Sequence, residues 1–388
     1  MVPDVDFELS EQEHDLVTAC ETVAARDIVP NAQRAWDEER CPVEVLARLG
    51  KADLMGLLVP EEWGGVGAST VGFVAALERL GEADQSIASA WQAHSTIGSL
   101  PLVRFGTDDQ RERWLRPLAE GRALGAFGLT EPGAGSDARS IATQATRVDG
   151  GWLVNGTKAF ISNAGTDMSY GVIVLARTAE PGSGRASYGN FIIERGADGY
   201  SLGPKLRGIG WRGLDTRQLY FTDVFVPQDQ VLGSPGTGLR QFLSTLEVGR
   251  IAIAALSNSL TSAVLRLALD YARDRVQFGA RISSFQAIKF KLADIATELE
   301  ASRWLTYRAA ALRDSGAPFS KEAAMAKLKA SRLAVHAASE AVQIHGGAGY
   351  MADSAVARFY CDAKVLEIGE GTSEIQHLVI ARAIGCGP

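Results

Sequence analysis

The spacing of apolar residues changes character twice along this 388-residue chain, and that change constrains its fold more than any single motif. From residue 7 to about 124 the spacing is helical. Ser10 with Glu13 reads as a capping box, and Leu16, Cys20, Val23 and Asp27 follow at helical intervals, three of them apolar enough to face a core. Residues 59–70 break the pattern with glycines, after which Ser69 or Thr70 caps a helix carrying Val71, Val74, Leu77 and Leu80. Thr107 with Gln110 opens a further helix that ends near Gly121.

Between residues 125 and 238 the texture is that of strands. Residues 172–176 and 191–194 are strand-like runs, prolines and glycines punctuate the segment, and Asn155-Gly156 predicts a hairpin turn. Residues 178–189 read as an exposed, mobile loop. From Leu239 the helical period returns: Ile288, Leu292, Ile295 and Leu299 share one face, and an alanine-rich helix from about Ser320 to His345 is stopped by Gly346 and Gly347. The expected organisation is an N-terminal all-α domain (1–124), a middle antiparallel β domain (125–238) and a C-terminal helical bundle (239–388).

Composition narrows the function classes. The net charge of -7 is spread without a basic block, which argues against a nucleic-acid or anionic-membrane surface. No secretory signal is evident and no apolar run reads as a membrane span, so a cytoplasmic protein is expected. The four cysteines lack CxxC spacing and the five histidines lack HExxH spacing, so neither a disulfide frame nor a zinc hydrolase is expected.

Two stretches carry chemistry. In DAKVLEIGEGTSEIQ (362–376), Glu370 lies between glycines and among Val365, Leu366 and Ile368, where poor solvation would raise its pKa and make it a base near neutral pH. The same stretch also reads as a helix N-terminus capped by Thr372 or Ser373, with Glu370 solvated outside. In GLTEPGAGSD (128–137), Pro132, Gly133 and Gly135 force an irregular backbone whose amides, with the hydroxyls of Thr130 and Ser136, suit a ligand's polar edge or phosphates. Two other matches are weaker. GWLVNGTK (151–158) exchanges the Lys and Thr of a phosphate-binding loop. GYSLG around Ser201, with HGGAG (345–349), would suit a serine hydrolase, but Pro204, Gly208 and Gly210 leave no helix after the serine.

Five segments, LTEPGAGSD (129–137), NGTKAFISNAG (155–165), RDRVQFG (273–279) with Phe285-Gln286, QIHGGAGY (343–350) and EGTSEIQ (370–376), together resemble the signatures of the acyl-CoA dehydrogenase family in order and spacing. The resemblance implies an α+β multidomain fold: an N-terminal helical domain, a middle antiparallel β-barrel and a C-terminal four-helix bundle. It further implies a homotetramer holding non-covalent FAD at subunit boundaries. By motif, Phe127, Leu129, Thr130, Gly135 and Ser136, with Phe160, Ile161 and Ser162, would hold the flavin ring. Arg275, Gln277, Phe278 and Gln286, with Gln343, Gly346 and Gly347, would bind the diphosphate and adenine, partly across a dimer interface. Thr372 and Glu374 would close over the cofactor.

The resemblance makes Glu370 the base that removes the proton α to a thioester carbonyl, while the β-hydrogen leaves as hydride to the flavin. Some members take their base from the helix around residue 249, which here is glycine. Ser136, Glu247, Arg250, Gly369 and Gly371 would then contact substrate, and Gly369, where relatives often carry an aromatic residue, opens room for branched or bulky acyl groups. The implied enzyme is most like short-chain and branched-chain members, serves fatty-acid or branched-chain amino-acid catabolism, and passes electrons to electron-transfer flavoprotein. Alternatives on the same fold are a carrier-protein-linked dehydrogenase, an oxidase and a non-catalytic flavin-binding subunit.

Overall fold

The computed structural model describes residues 9–178, 187–234 and 236–386. Helices occupy the chain as far as Ala119, strands run from Phe127 to Leu232, and helices return at Gly238. Both capping boxes form, Ser10 with Glu13 ahead of the helix Glu11–Val23 and Thr107 with Gln110 ahead of Asp108–Gln110. Asp27, the polar member of the first apolar row, is as deeply buried as Cys20, because Arg26 and Arg48 pair with its carboxylate. At the helix Thr70–Ala83, Ser69 is the cap, its Oγ accepting from Gly72 N at 3.0 Å. Asp314, from the C-terminal segment, accepts from the amides of Thr70 and Val71 at 2.9 and 3.1 Å, so three of that helix's free donors are satisfied.

The strands are β1 (Phe127–Gly128), β2 (Gln144–Val148), β3 (Gly151–Ser162), β4 (Gly171–Arg177), β5 (Tyr188–Glu194), β6 (Tyr200–Lys205), β7 (Thr216–Pro227) and β8 (Val231–Leu232). They form one eight-stranded sheet in the order β6-β7-β3-β2-β4-β5-β8, with β1 beside β4. Most pairings are antiparallel as expected, but β1 and β2 each pair with β4 in parallel. Asn155-Gly156 is not the hairpin turn. The β2–β3 turn is Asp149-Gly150, whereas Asn155 and Gly156 sit at a register shift within β3, where Asn155 exchanges hydrogen bonds with Asp223. Gly156 is required there because a Cβ would strike Thr143. Of the loop expected over 178–189, residues 188 and 189 open β5 and residues 179–186 lie outside the described residues.

Ser201 lies inside β6, paired with Tyr220, and no strand-to-helix turn follows it, which removes the hydrolase reading.

In the C-terminal segment the long helix Gly238–Asp274 packs against Gln286–Asp314 and Ser320–His345, with Ala355–Ala363 and Ser373–Ala383 completing the group. The buried alanines of Ser320–His345 let its axis come close to the long helix, as at Ala254, Ala326 and Ala330. The long helix is long and apolar enough to cross a membrane, contrary to the expectation that no run would be, yet most of that stretch is buried inside the protein. One apolar core joins the N- and C-terminal helices through Phe73, Leu77, Trp91, Leu256 and Ala334. A second, with Trp152, Val174, Phe191 and Phe221, fills the sheet. A third, with Trp114, Leu118, Phe127, Ile173 and Phe242, joins helices and sheet.

The three segments also meet at a buried polar joint. Asp362 Oδ1 accepts from Trp211 N at 2.5 Å, its Oδ2 has no partner among the described residues, and Arg358 Nε stands 3.8 Å from Asp84. Burial, then the neighbouring charge of Asp84, pushes the Asp362 carboxyl up to about 8. A carboxyl whose folded pKa lies above its unfolded value contributes stability at low pH that is lost as pH rises through the folded value. Asp362→Asn is therefore expected to flatten the fall in stability between about pH 4 and 8 relative to the parent chain, by up to ~1.4 kcal/mol per pH unit, measured by urea unfolding across that range.

Candidate active site

The stretch around Glu370 combines both of its sequence readings. After the helix Ala355–Ala363 and a 3₁₀ turn (Lys364–Glu367), Thr372 caps the helix Ser373–Ala383, its Oγ1 accepting from Ile375 N at 3.4 Å. Glu370 is nevertheless not solvated. Its φ of 52° and the 101° of Gly371 place two consecutive residues in left-handed backbone, at a cost of about 1–3 kcal/mol for the glutamate. That conformation sends the carboxylate across to the long helix at Gly249, where a methyl group would overlap Glu370 Oε2. Oε1 accepts from Gln92 Nε2 at 2.8 Å, and Oε2 is buried without a partner among the described residues. Burial raises the carboxyl to about 7, against the opposing hydrogen bond from Gln92 and the charges of Lys327 and Arg250.

Arg250, next to Gly249, is buried, and its Nε is without a partner among the described residues; burial lowers its pKa while Glu247 and Glu370 oppose the shift. Glu247 is half-buried one turn earlier. Gly369 borders open space, since a Cβ there would meet only the Val365 carbonyl at 3.5 Å.

The second stretch is held by a buried ion pair. Lys158, fully buried on β3, donates to Glu131 Oε1 at 2.8 Å and to the Leu129 carbonyl at 3.0 Å. Glu131 also accepts from the amides of Ala142 and Thr143. Burial raises the Glu131 carboxyl, but Lys158 and the other donors outweigh it and leave it below its ordinary value. Ala159 N donates to Thr130 O at 2.8 Å, which sets Thr130 beside Phe160. Phe160 is 68% exposed with a φ of 60°, an aromatic ring held in water in a strained conformation. The half-buried hydroxyls of Thr130 and Ser162 find no partner among the described residues. Leu129 is half-buried, Gly135 and Ser136 are exposed, and Phe127 and Ile161 are buried. Phe127 stacks on Phe242 at 3.3 Å, so it and Ile161 present only backbone to a ligand. Phe242 lies two turns before Gly249, about 10 Å along the same helix, so this floor and Glu370 share one support. An exposed aromatic face beside two free hydroxyls fits a flat ring with a polar edge.

Most of the remaining cofactor candidates are exposed and lie in two places, a hairpin beside the end of Ser320–His345 and, for Glu374, the start of Ser373–Ala383 near Lys327. Strands β9 (Val276–Gln277) and β10 (Ala280–Arg281) pair as a hairpin whose two-residue turn, Phe278-Gly279, has φ of 53° and 79° at its centre. Phe278 is 97% exposed. Arg275, Gln277, Gln286, Gln343, Gly346, Gly347 and Glu374 are exposed as well, and Tyr271, one turn before Arg275, stacks on His345 at 4.3 Å, joining the hairpin to the end of Ser320–His345.

Comparison with known proteins decides the family. The profile of the acyl-CoA dehydrogenase N-terminal domain matches residues 10–122, that of the middle domain 126–224 and that of the C-terminal domain 236–385. This chain belongs to the acyl-CoA dehydrogenase family. It is 42% identical to a probable acyl-CoA dehydrogenase, YngJ, of Bacillus subtilis over 98% of this chain and 100% of that one. It is 38% identical to the human mitochondrial short-chain specific acyl-CoA dehydrogenase, over 96% of this chain and 90% of that one. The solved butyryl-CoA dehydrogenase of Megasphaera elsdenii superposes with a TM-score of 0.94 at 37% identity, covering 98% and 99% of the two chains. As an acyl-CoA dehydrogenase the chain is a flavin-dependent oxidoreductase, with FAD as its cofactor.

Three groups of this acyl-CoA dehydrogenase were missed from sequence: Gln92, the Lys158–Glu131 pair and Lys327. Gln92 and Lys327 carried no signal of their own, since Ser89 and His94 lie close to the one and Lys329 and Arg332 to the other in sequence. Lys158→Met should destabilise the protein by about 3–5 kcal/mol, because it strands the Glu131 carboxylate. Adding Glu131→Gln should recover much of that loss, read from thermal or urea unfolding as a double-mutant cycle.

Proposed function

We propose that the chain dehydrogenates a short-chain or branched acyl thioester to the trans-2-enoyl thioester, with Glu370 removing the α-proton. The observation that carries this reading is the Glu370 carboxylate: out of water, seated on Gly249, backed by Gln92, and raised to about 7. A base of that pKa is about half ionised at neutral pH and takes up a proton readily. Gly249 has no side chain to serve instead, so the base comes from the loop.

The rest of the site supports the same chemistry. The Glu370 backbone N–H donates to no group among the described residues and lies beside the base, where it suits a thioester oxygen gaining negative charge. Arg250, whose charge acts on Glu370, and Glu247 one turn before it would contact substrate, and Ser136, Gly369 and Gly371 would line the approach. The space at Gly369 is the reason to favour a branched or bulky acyl group. Bound FAD supplies the acceptor for the β-hydride. Thr130 and Ser162 would hold its polar edge, Phe160 its ring face, Thr372 and Glu374 its near side, and Arg275, Gln277, Phe278, Gln286, Gln343, Gly346 and Gly347 its diphosphate and adenine. An arginine's planar fork matches a diphosphate. A strained phenylalanine at a fully exposed hairpin tip is costly alone, which supports a homotetramer in which a second copy covers Phe278. Electron-transfer flavoprotein is the proposed electron acceptor.

Anaerobic mixing of the FAD-loaded protein with straight, branched and ring-bearing acyl-CoA thioesters should bleach the flavin with the short or branched class. No bleaching by any of them would contradict the CoA-thioester assignment. The rate should rise with pH through about 7 as Glu370 ionises. Gln92→Leu removes a hydrogen bond that favours the ionised form, so it should move that rise to higher pH, measured as kcat/KM against pH.

A further inference from the structure

We propose that Lys327 and Gln376 are positioning residues for Glu370, acting as a clamp on the Gly371 carbonyl; the proposal rests on Glu370 being the base. The Gly371 carbonyl accepts from Lys327 Nζ at 2.7 Å and from Gln376 Nε2 at 2.8 Å. Both side chains are fully buried. They come from different elements, Lys327 from the middle of Ser320–His345 and Gln376 from the first turn of Ser373–Ala383.

The clamp acts where the loop is least favourable. Glu370 and Gly371 are both left-handed, and a glutamate in that region relaxes to ordinary backbone unless the surroundings hold it. Fixing the carbonyl that directly follows fixes the direction in which the chain leaves Glu370, and with it the reach of the carboxylate to Gly249 and Gln92. A side chain at Gly371 would be strained at its φ of 101°, and its Cβ, 2.8 Å from Gln376 Nε2, would push that donor off the carbonyl. A lysine whose ammonium is wholly buried is expensive, and a methionine would fill the same volume without that penalty. Its presence calls for a task, and the acceptor it meets is the backbone beside the base.

Lys327 also acts through its charge. The charged groups around it are Glu370 and Glu367 from the loop, Arg250 from the long helix and Glu374 from the last helix. Around Glu370 itself stand Lys327, Arg250 and the neutral donor Gln92 from the helix Gln85–Ala93. Removing Lys327 leaves one cation where there were two, which disfavours the ionised carboxylate.

The test uses FAD-loaded Lys327→Met, Lys327→Gln and Gln376→Leu, comparing FAD content, kcat, KM and the pH profile with the parent enzyme. The expected result is full FAD content, KM close to the parent value, and kcat lowered about tenfold to a hundredfold in Lys327→Met and Gln376→Leu, the scale of a small misplacement of a reacting group. Lys327→Met should also shift the rising limb to higher pH. Lys327→Gln, which keeps a donor and loses the charge, should regain kcat at high pH while keeping the shifted limb. Unchanged kcat in both clamp variants, a loss that tracks lost FAD or raised KM, or an unmoved limb in Lys327→Met would overturn the clamp. A parent enzyme without a rising limb near pH 7 would instead overturn the assignment of the base.

Discussion

Glu370 can lie where it does because Gly249 has no side chain. The carboxylate occupies the volume a methyl group at 249 would take, and this contact removes it from water and raises its pKa. One missing Cβ therefore sets both the position and the protonation behaviour of the proposed base. The contact also explains why two consecutive left-handed residues persist in the loop: only that backbone carries the side chain back across to the long helix.

The long helix organises the rest. Gly249 and Arg250 face the base, and Phe242, two turns earlier, stacks on Phe127 at the start of the sheet, so the floor for the cofactor ring is fixed relative to the base. The N-terminal helices contribute Gln92, and the sheet contributes Lys158, which pins Glu131 and thereby the irregular segment around Thr130. Each structural segment thus supplies one polar group that is costly to bury and that is matched by a partner from elsewhere in the chain. Asp362 on the Trp211 amide follows the same rule, and the exposed Asp314 ties the helix start at Thr70 to the C-terminal segment.

Much of this was legible from residues alone, for identifiable reasons. Helical periods, the capping boxes at Ser10 and Thr107 and the stop at Gly346 are local signals, and all appear in the structure. Thr372 as a cap and Glu370 as a desolvated carboxylate looked like competing readings of one stretch and are both realised, because the cap begins two residues after the base. Asn155-Gly156 misled because a positive-φ glycine serves a bulge as well as a turn, and only the partner strand's register distinguishes them. Gln92, Lys327 and the Lys158–Glu131 pair depend on contacts between residues far apart in sequence, which no spacing rule reports. Phe127 and Ile161, in the segments expected to hold a flavin ring, have buried side chains, and in β3 the alternation turns Ile161 inward between Phe160 and Ser162.

The most direct measurement is anaerobic mixing of FAD-loaded Glu370→Gln with an acyl-CoA that bleaches the parent enzyme. Glutamine keeps the shape and the contact with Gln92 but cannot take a proton. The account expects a variant that binds FAD and thioester and stays yellow, slower by at least the roughly 10²- to 10⁴-fold of general-base catalysis. Bleaching at the parent rate would show that the α-proton leaves by another group and would contradict the account.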